Sequence, residues 1–384
     1  MASSFLSKGL PLVFKGNKNA AIGKWMLGTA GMVVGMIHVG GLTRLTGSGL
    51  SMTTWHPLGS KPPMTTEEWE TEFGRYKMYP EWEQRKAMTL NDFKYIYAWE
   101  YGHRMLGRCV GLVFVIPWAY FSMRGLVPAG YQPRMVGLLC MGGGQGFVGW
   151  WMVKSGLGED RRGDQKEIKV KPYRLATHLS MAFATYAALL WTGWDILSLQ
   201  NTQLWKEGIR SMTKEALRHA TKLRIGAFAV TGLTAITIVS GALVAGNDAG
   251  RAYNTYPKMN DEWIPHDIVA LSPWTRNLTE NTATVQFNHR VLGTATALGA
   301  LTLFGIGKGS LVTPQVRNGL LAVGLAATGQ MTLGVVTLLN YVPISLAAAH
   351  QLGAAVVMTS GLYLCHSLRY AKPALIQAAK HLAK

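Results

Sequence analysis

The 384-residue chain has little cysteine and few acidic residues. Its three cysteines, Cys109, Cys140 and Cys365, lie in apolar stretches and form no CxxC pair. This scarcity excludes a disulfide framework and a cysteine metal site, and it predicts three buried apolar thiols. Charged residues make up only 15% of the chain, well below the roughly 25% of an average soluble domain. The low charge argues against a set of ordinary soluble domains.

Apolar residues take the place of the missing charge and occur in long runs. They account for 48% of the chain, and glycine is frequent among them, as expected where helices pack closely in lipid. Eight windows are nearly free of charge: 25–43, 109–123, 135–153, 175–194, 225–247, 291–307, 318–342 and 344–366. Each is about long enough for an α-helix to cross a hydrocarbon core of roughly 30 Å. We predict an all-α membrane protein with eight transmembrane helices.

The net charge of +18 follows the pattern of membrane topology and not that of nucleic-acid binding. Five segments on one side of the eight predicted helices are all positive: 1–24, 124–134, 200–224, 308–317 and 369–384. The segments on the other side, taken together, are nearly neutral: 43–102, 154–173 and 247–287. This asymmetry places both termini on the inner side, in a matrix or cytoplasm, and excludes nucleic acid as a partner. Residues 1–24 contain Ser and Lys without acid, which is compatible with a mitochondrial presequence, although arginine is missing.

Several landmarks recur in the same order in the two parts of the chain. Aligning Gly41 with Gly241 matches two outer loops, 41–57 and 241–257, that both end at a proline. After these loops, EYGHR at 100–104 corresponds to QFNHR at 286–290. The remaining landmarks pair Gln145 with Gln330, Gly149 with Gly334, and His178 with His350. We predict two pseudo-symmetric four-helix bundles in parallel orientation.

This repeat divides the chain into five parts. They are an inner N-terminal segment (1–24), a first half with a long outer loop at 43–102 (25–199), an inner linker (200–224), a second half (225–368) and a C-terminal tail (369–384).

Four histidines, His103, His178, His289 and His350, fall at the predicted outer ends of the second, fourth, sixth and eighth apolar windows, two in each half. One histidine in a membrane helix usually packs or hydrogen-bonds, but four at matched depth point to function. Two imidazoles facing each other across a bundle are what bis-His heme ligation needs. Zinc usually takes a third and fourth protein ligand, which neither half provides. The pattern therefore favours heme, with the two histidines of each half binding one heme iron. His38 does not recur, and no role is assigned to it.

Charged neighbours distinguish the two histidine sites. Arg104 and Arg290 each follow a candidate ligand, and they are predicted to contact heme propionates or to extend toward the membrane interface. Glu100 precedes His103 by three residues and shares its helix face, whereas the equivalent residue in the second half is Gln286. A carboxylate beside a heme edge can move protons or stabilise developing positive charge, but an amide cannot. We predict one reactive site, in the first half.

The chain resembles heme A synthases of the mitochondrial and alphaproteobacterial type over residues 24–368. Five segments carry the resemblance: GGLTRLTGSGLSMTTWHP (40–57), MTLNDFKYIYAWEYGHRMLGR (88–108), WWMVKSGL (150–157), VAGNDAGRAYNTYPKM (244–259) and VQFNHRVLG (285–293). Together they are highly specific, although any one alone would be weak. Some bacterial relatives carry a cysteine pair in their outer loops, and this chain has none there.

The resemblance implies a reaction and a role for each site. Enzymes of this family oxidise the C8 methyl of heme O to a formyl group, giving heme A for cytochrome c oxidase. It implies that His103 and His178 hold the substrate heme O, with Glu100 as the catalytic carboxylate. It implies that His289 and His350 ligate a cofactor heme b. It also implies the mitochondrial inner membrane, or alternatively a bacterial plasma membrane, and ferredoxin as the electron donor.

Other interpretations stay open at this point. A bis-His diheme electron-transfer cytochrome explains the four histidines but gives Glu100 no role, and a heme transporter would need a midplane site or broken helices. Contact with heme O synthase and a homo-oligomeric state are also open. The run EEWETEFGRYKMYPEWE (67–83) in the first outer loop is predicted to be an amphipathic surface helix, a cover for the substrate site or a partner-docking segment.

Overall fold

The computed structural model describes residues 19–161, 167–309, 311–372 and 376–377. It contains eight long helices: α1 (Ala20–Leu45), α3 (Leu90–Met123), α4 (Gln132–Lys154), α5 (Pro172–Ser198), α7 (Lys214–Gly246), α9 (Thr282–Ile306), α10 (Pro314–Leu339) and α11 (Ile344–Ser367). It also contains three short ones: α2 (Thr66–Lys77), α6 (Thr202–Ser211) and α8 (Asn277–Glu280). No β-strand occurs within these ranges, and the predicted all-α class is confirmed. Residues 1–18 of the predicted presequence segment and most of the predicted tail lie outside the described residues.

Six of the long helices are apolar and long enough to cross a membrane: α1, α3, α4, α7, α10 and α11. The other two, α5 and α9, contain more polar residues, including Arg174, Thr177 and His178 in α5. Large apolar side chains on several of these helices are exposed, for example Ile116 on α3, Phe147 on α4 and Leu325 on α10. In water such surfaces would be unfavourable, whereas in lipid they are the normal outer face of a bundle. The chain is a multi-pass membrane protein.

The helix ends show where hydropathy misplaces a boundary. The second apolar window begins at residue 109, but α3 begins at Leu90 because Thr89 caps it and exchanges hydrogen bonds with Asp92. The intervening turns are polar and carry Glu100, His103 and Arg104. The segment 200–224, predicted as a linker, is itself helical, since it contains α6 and the beginning of α7.

The long helices pack around a common space. In the first half, α1 contacts α3 and α5, and α4 contacts α5. In the second half, α7 contacts α9 and α11, and α10 contacts both of those helices. The two sets meet where α5 packs on α7 and where α1 packs on α11.

Three loops that the charge pattern predicts on the outer side contact one another at one end of this space. The backbone N–H of Ile168 donates to Gln84 Oε1 at 2.8 Å, and Lys169 Nζ lies 2.7 Å from Asp248 Oδ2. Arg44, at the end of α1, pairs with the same Asp248 carboxylate at 3.3 Å. Burial alone would raise the pKa of Asp248, but Arg44 and Lys169 hold it below its usual value. An ion-pair network therefore joins the two halves at this end of the molecule.

The run at 67–83 forms the predicted amphipathic helix, α2, followed by a 3₁₀ turn (Pro80–Gln84). A capping box between Thr65 and Glu68 starts α2. Its buried face carries Phe73 and Tyr76, which pack on Phe93 at the start of α3. The helix thus lies against the first turns of α3, beside the outer end of the first half.

The prediction of three buried thiols is wrong for two of them. Cys365 is buried and touches Thr231, but Cys109 and Cys140 are exposed on the faces of α3 and α4. Hydropathy places a cysteine in a membrane helix, but it does not say whether the side chain faces protein or lipid.

Candidate heme and carboxylate site

A single cavity of about 1390 Å³ occupies the space beneath the outer loops. It exceeds the roughly 300–1,000 Å³ of a site for one drug-sized ligand. Its walls come from both halves and are mostly apolar, with a few polar side chains. Every residue that the sequence predicted for the site lines this cavity: Glu100, His103, Arg104, His178, Gln286, His289, Arg290 and His350. The structure therefore brings the two predicted sites into one connected space.

Each of the four histidines is seated against a glycine of a neighbouring helix. A Cβ added at Gly40 on α1 would lie 2.7 Å from Cε1 of His103, and one added at Gly334 on α10 would lie 2.7 Å from Cε1 of His350. A Cβ added at Gly149 would lie 3.0 Å from Cε1 of His178, and one added at Gly241 would lie 3.0 Å from Cε1 of His289. Real Cβ atoms hardly approach this closely, so any larger residue at these four glycines would displace an imidazole ring.

These contacts correct the alignment of the two halves by one residue. Gly41 was aligned with Gly241, but the glycine in contact with His103 is Gly40. Gly41 lies instead against the side chain of Gln351. The pairing of Gly149 with Gly334 is confirmed, because both glycines touch the corresponding histidine.

A glutamine fixes the start of the helix that carries the second histidine of each half. Gln145 Nε2 donates to the carbonyl oxygen of His178 at 2.9 Å, and Gln330 Nε2 donates to that of His350 at 2.8 Å. These equivalent bonds explain why the two glutamines recur. The Nδ1 atom of each of the four histidines is buried and has no hydrogen-bond partner in the described part of the chain. Buried polar atoms without a partner are uncommon and often mark a functional site.

The two rings of the second half have a geometry suitable for a shared metal ion. The centroids of His289 and His350 are 6.3 Å apart and their planes are perpendicular. Because a metal–imidazole bond is about 2 Å long, an ion held between two facing rings separates their centroids by about 6 Å. With this spacing, the two imidazoles would hold one metal ion between them, such as the iron of a heme. No group of three or more potential metal-binding side chains occurs within the described ranges.

Glu100 is the centre of a hydrogen-bond network in the first half. Its side chain is buried, and Oε2 accepts bonds from the Ser51 hydroxyl and the Met52 N–H, both at 2.7 Å. Oε1 accepts two bonds from Arg104, from Nε at 3.1 Å and from Nη2 at 2.6 Å. Four donors thus converge on one carboxylate at the wall of the cavity, which is the arrangement expected for a negative charge held in place.

Gln286 occupies the equivalent position in the second half with the opposite hydrogen-bond polarity. Its Nε2 donates to the carbonyl oxygens of Ala249 and Ala252, and its Oε1 accepts from Arg290 at 3.1 Å. The loop beside Glu100 presents N–H and O–H donors, whereas the loop beside Gln286 presents carbonyl acceptors. The difference between the two sites therefore extends from the side chain into the loop backbone.

This polarity predicts the effect of a Gln286→Glu substitution. A carboxylate at 286 would face two carbonyl oxygens without a proton to donate, and leaving such buried groups unpaired costs about 1–3 kcal/mol each. We expect a lower melting temperature and less heme retained in the second half, with no new activity. Differential scanning fluorimetry and heme extraction measure both effects, and Gln286→Met separates the lost donor from the added charge, because it leaves the same two carbonyl oxygens unpaired without introducing a charge. Wild-type stability in Gln286→Glu would contradict the assigned polarity.

The two arginines make equivalent contacts with the loops above them. Arg104 donates to the carbonyl oxygens of Thr54 at 2.8 Å and Met52 at 2.9 Å. Arg290 donates to those of Tyr253 at 2.6 Å and Lys258 at 3.1 Å. Each arginine therefore links the outer loop to the residue four positions earlier in its own helix. Contact with heme propionates stays a prediction for both.

The chain is similar to known proteins over most of its length. Residues 23–362 match the COX15-CtaA family model, described as cytochrome oxidase assembly protein. A relative from Arabidopsis thaliana named heme A synthase COX15 is 43% identical across 100% of this chain and 82% of its own length. A heme A synthase from Nitrosomonas eutropha is 39% identical over 90% of this chain and 92% of its own length. A heme A synthase–mitochondrial ferredoxin fusion protein from Schizosaccharomyces pombe is 38% identical over 90% of this chain and 59% of its own length. The chain therefore belongs to the COX15-CtaA family of cytochrome oxidase assembly proteins.

Proposed function

We propose that this protein is a heme A synthase that oxidises the C8 methyl group of heme O to a formyl group. The observation that carries the proposal is an asymmetry in a common cavity: a buried carboxylate, Glu100, precedes the first histidine of one pair, whereas the amide Gln286 takes that position in the other. An electron carrier with two equivalent hemes has no use for this asymmetry. Full-length similarity to proteins named heme A synthase supports the same conclusion.

The two halves take different roles in this proposal. His103 and His178 hold the iron of the substrate heme O, and His289 and His350 hold a resident heme b. Bound heme supplies the one-electron redox chemistry. The protein orients each porphyrin through histidines seated on glycines. Glu100, held by Ser51, Met52 and Arg104, places a negative charge where the methyl carbon becomes electron-poor.

We also propose that all eight long helices cross the membrane, as two four-helix bundles. The two more polar helices have at least 25 residues each, about 37 Å at 1.5 Å per residue. In α5 many side chains are buried by its neighbours, which explains how it tolerates polar residues, and α9 exposes Leu298 and Ile306. The positive segments then face the inner side with both termini, and the cavity opens toward the outer side. For a mitochondrial protein these sides are the matrix and the intermembrane space.

Ferredoxin is the proposed electron donor. The Schizosaccharomyces pombe relative is named as a fusion with mitochondrial ferredoxin, and fusion keeps two proteins that work together at high local concentration. The inner segments of this chain are all basic, so they attract an acidic electron carrier from the matrix.

Heme extraction from the purified protein tests the proposed roles. We expect wild-type protein to contain heme b together with heme O or heme A. His103→Ala should lose heme O and heme A selectively, and His289→Ala should lose heme b, because each substitution removes one of two iron ligands. Chromatography of the extracted hemes measures this, with His56→Ala, in an outer loop, as the control. If the wild type contains only heme b, and both variants lose it to the same extent, the protein is an electron-transfer cytochrome instead.

A further inference from the structure

A second buried carboxylate, Glu81, lines the same cavity as Glu100. It lies in the 3₁₀ turn after α2 and is only 4% exposed. The turn belongs to the first outer loop, which is longer than the corresponding loop of the second half. The first half therefore has two buried acids at its cavity wall, whereas the position of Glu100 in the second half is taken by an amide.

The charged and titratable groups around Glu81 come from four elements. The Tyr76 hydroxyl on α2 donates to its Oε2 at 3.1 Å, and Arg85 Nη2 lies 3.3 Å from its Oε1. Glu100 on α3 and Glu167 in the loop before α5 add negative charge nearby. The Arg85 nitrogen is also 3.9 Å from Glu167 Oε1, so the two carboxylates flank one guanidinium group. Glu167 is exposed, and its other oxygen pairs with Lys169 of the same loop.

We infer that Glu81 exchanges protons between the substrate half of the cavity and the outer solution, with Glu167 as the exposed group beyond it. The inference rests on the proposed function, because oxidation of a methyl group to a formyl group requires protons to move at the site. A proton released at the site passes through cavity water to the Glu81 carboxylate, and the resulting acid passes a proton through a bridging water to the Glu167 carboxylate, so the water molecules are left unchanged. The reverse sequence brings a proton in, and no electrons are transferred in either direction.

The environment of Glu81 suits this role. Burial, partly offset by Arg85, raises the pKa of its carboxyl group to about 7. Burial also raises the pKa of Tyr76, so its hydroxyl stays protonated and keeps donating to Glu81. A group that titrates near neutrality is populated in both protonation states, as a proton carrier must be. Below pH 7 Glu81 is mostly the acid, and above pH 7 it is mostly the carboxylate.

The test combines a spectrum with a pH profile in the full-length, heme-loaded protein. Infrared spectra of the wild type should show a carboxylic-acid carbonyl band that disappears as the pH rises through about 7, and Glu81→Gln should lack it. Heme A formation should fall about 100-fold in Glu81→Gln, the lower end of what a proton-transfer group contributes, and the change of rate near pH 7 should vanish. Glu83→Gln, at an exposed position in the same turn, is the control and should behave like the wild type.

Several outcomes would overturn the inference. One is an unchanged rate and pH profile in Glu81→Gln, and another is the absence of a band titrating near pH 7 in the wild type. A purely structural role would lower the rate equally at every pH. If Glu81→Gln loses heme or aggregates, Glu81→Asp is used to test the inference. It retains a titrating carboxyl group, so its rate should still depend on pH, with a shifted midpoint. If the wild type forms no heme A, the proposed function fails, while the infrared titration still decides whether Glu81 is the titrating carboxyl.

Discussion

Replacing Gly40 by alanine is expected to remove the substrate heme while heme b stays bound, and replacing Gly334 is expected to do the reverse. The added methyl group would lie 2.7 Å from an imidazole carbon in both cases, His103 in one and His350 in the other. Overpacking of this kind costs about 1–3 kcal/mol, which corresponds to roughly 5- to 150-fold weaker binding. Chromatography of the hemes extracted from each purified variant measures which one is lost.

Two other helix glycines provide matched controls for this experiment. A Cβ added at Gly35 on α1 or at Gly329 on α10 would meet no heavy atom within 4 Å. Glycine-to-alanine changes at such positions normally favour a helix by up to about 1 kcal/mol. Gly35→Ala and Gly329→Ala should therefore keep both hemes. Equal heme contents in Gly40→Ala and Gly35→Ala would show that the glycine seat does not position the histidine.

Replacing Glu100 by glutamine is expected to abolish heme A formation while leaving the heme content largely intact. The amide keeps the shape of the side chain but loses its charge, and its NH₂ group must face donors from Arg104 or from Met52. Loss of one preorganised electrostatic contact typically lowers a rate by about 10²–10³-fold. Since four donors meet here, we expect an effect at the upper end. The readout is the ratio of heme A to heme O in cells that lack another heme A synthase.

The controls for Glu100 separate charge from structure. Glu100→Asp keeps the charge but shortens its reach, and it should retain measurable activity. Ser51→Ala removes one of the four donors while leaving the carboxylate and the Arg104 pair in place, and it should lower the rate only moderately. Undiminished heme A in Glu100→Gln would contradict the assignment of Glu100 as the catalytic carboxylate.

The helices and the paired histidine sites could be predicted from the sequence, because the patterns that indicate them are local. Long apolar windows indicate helices, and the recurrence of histidines, glutamines and glycines indicates paired sites before any coordinates are known. The choice of Glu100 followed from comparing two short stretches. Contacts between His103 and Gly40 join residues of different helices, however, and a one-residue error in aligning loops of unequal length hid the equivalence.

Other features depend on how the chain folds over itself and could not be read from a pattern. Glu81 looks like a surface residue in an acidic stretch, and only the packing of α2 and its following turn on α3 buries it. The exposure of Cys109 and Cys140 depends on helix rotation, which near-uniform apolar windows do not specify. The direction of the loop amides beside Glu100 and Gln286 depends on backbone torsions in irregular segments.

The opposite orientation of those loop amides limits how the two sites could be interconverted by protein engineering. If only Glu100 and Gln286 were exchanged, each side chain would face loop groups whose hydrogen-bond polarity suits the other side chain. A chimera that moves reactivity to the second half would need the backbone of residues 47–54 transplanted with the glutamate, in place of the segment around Ala249 and Ala252. The smallest segment set that could transfer the reaction to the other half is thus the loop 47–54 together with the helix start that carries the glutamate. An inactive point mutant at 286 would say nothing about whether that half can host the reaction.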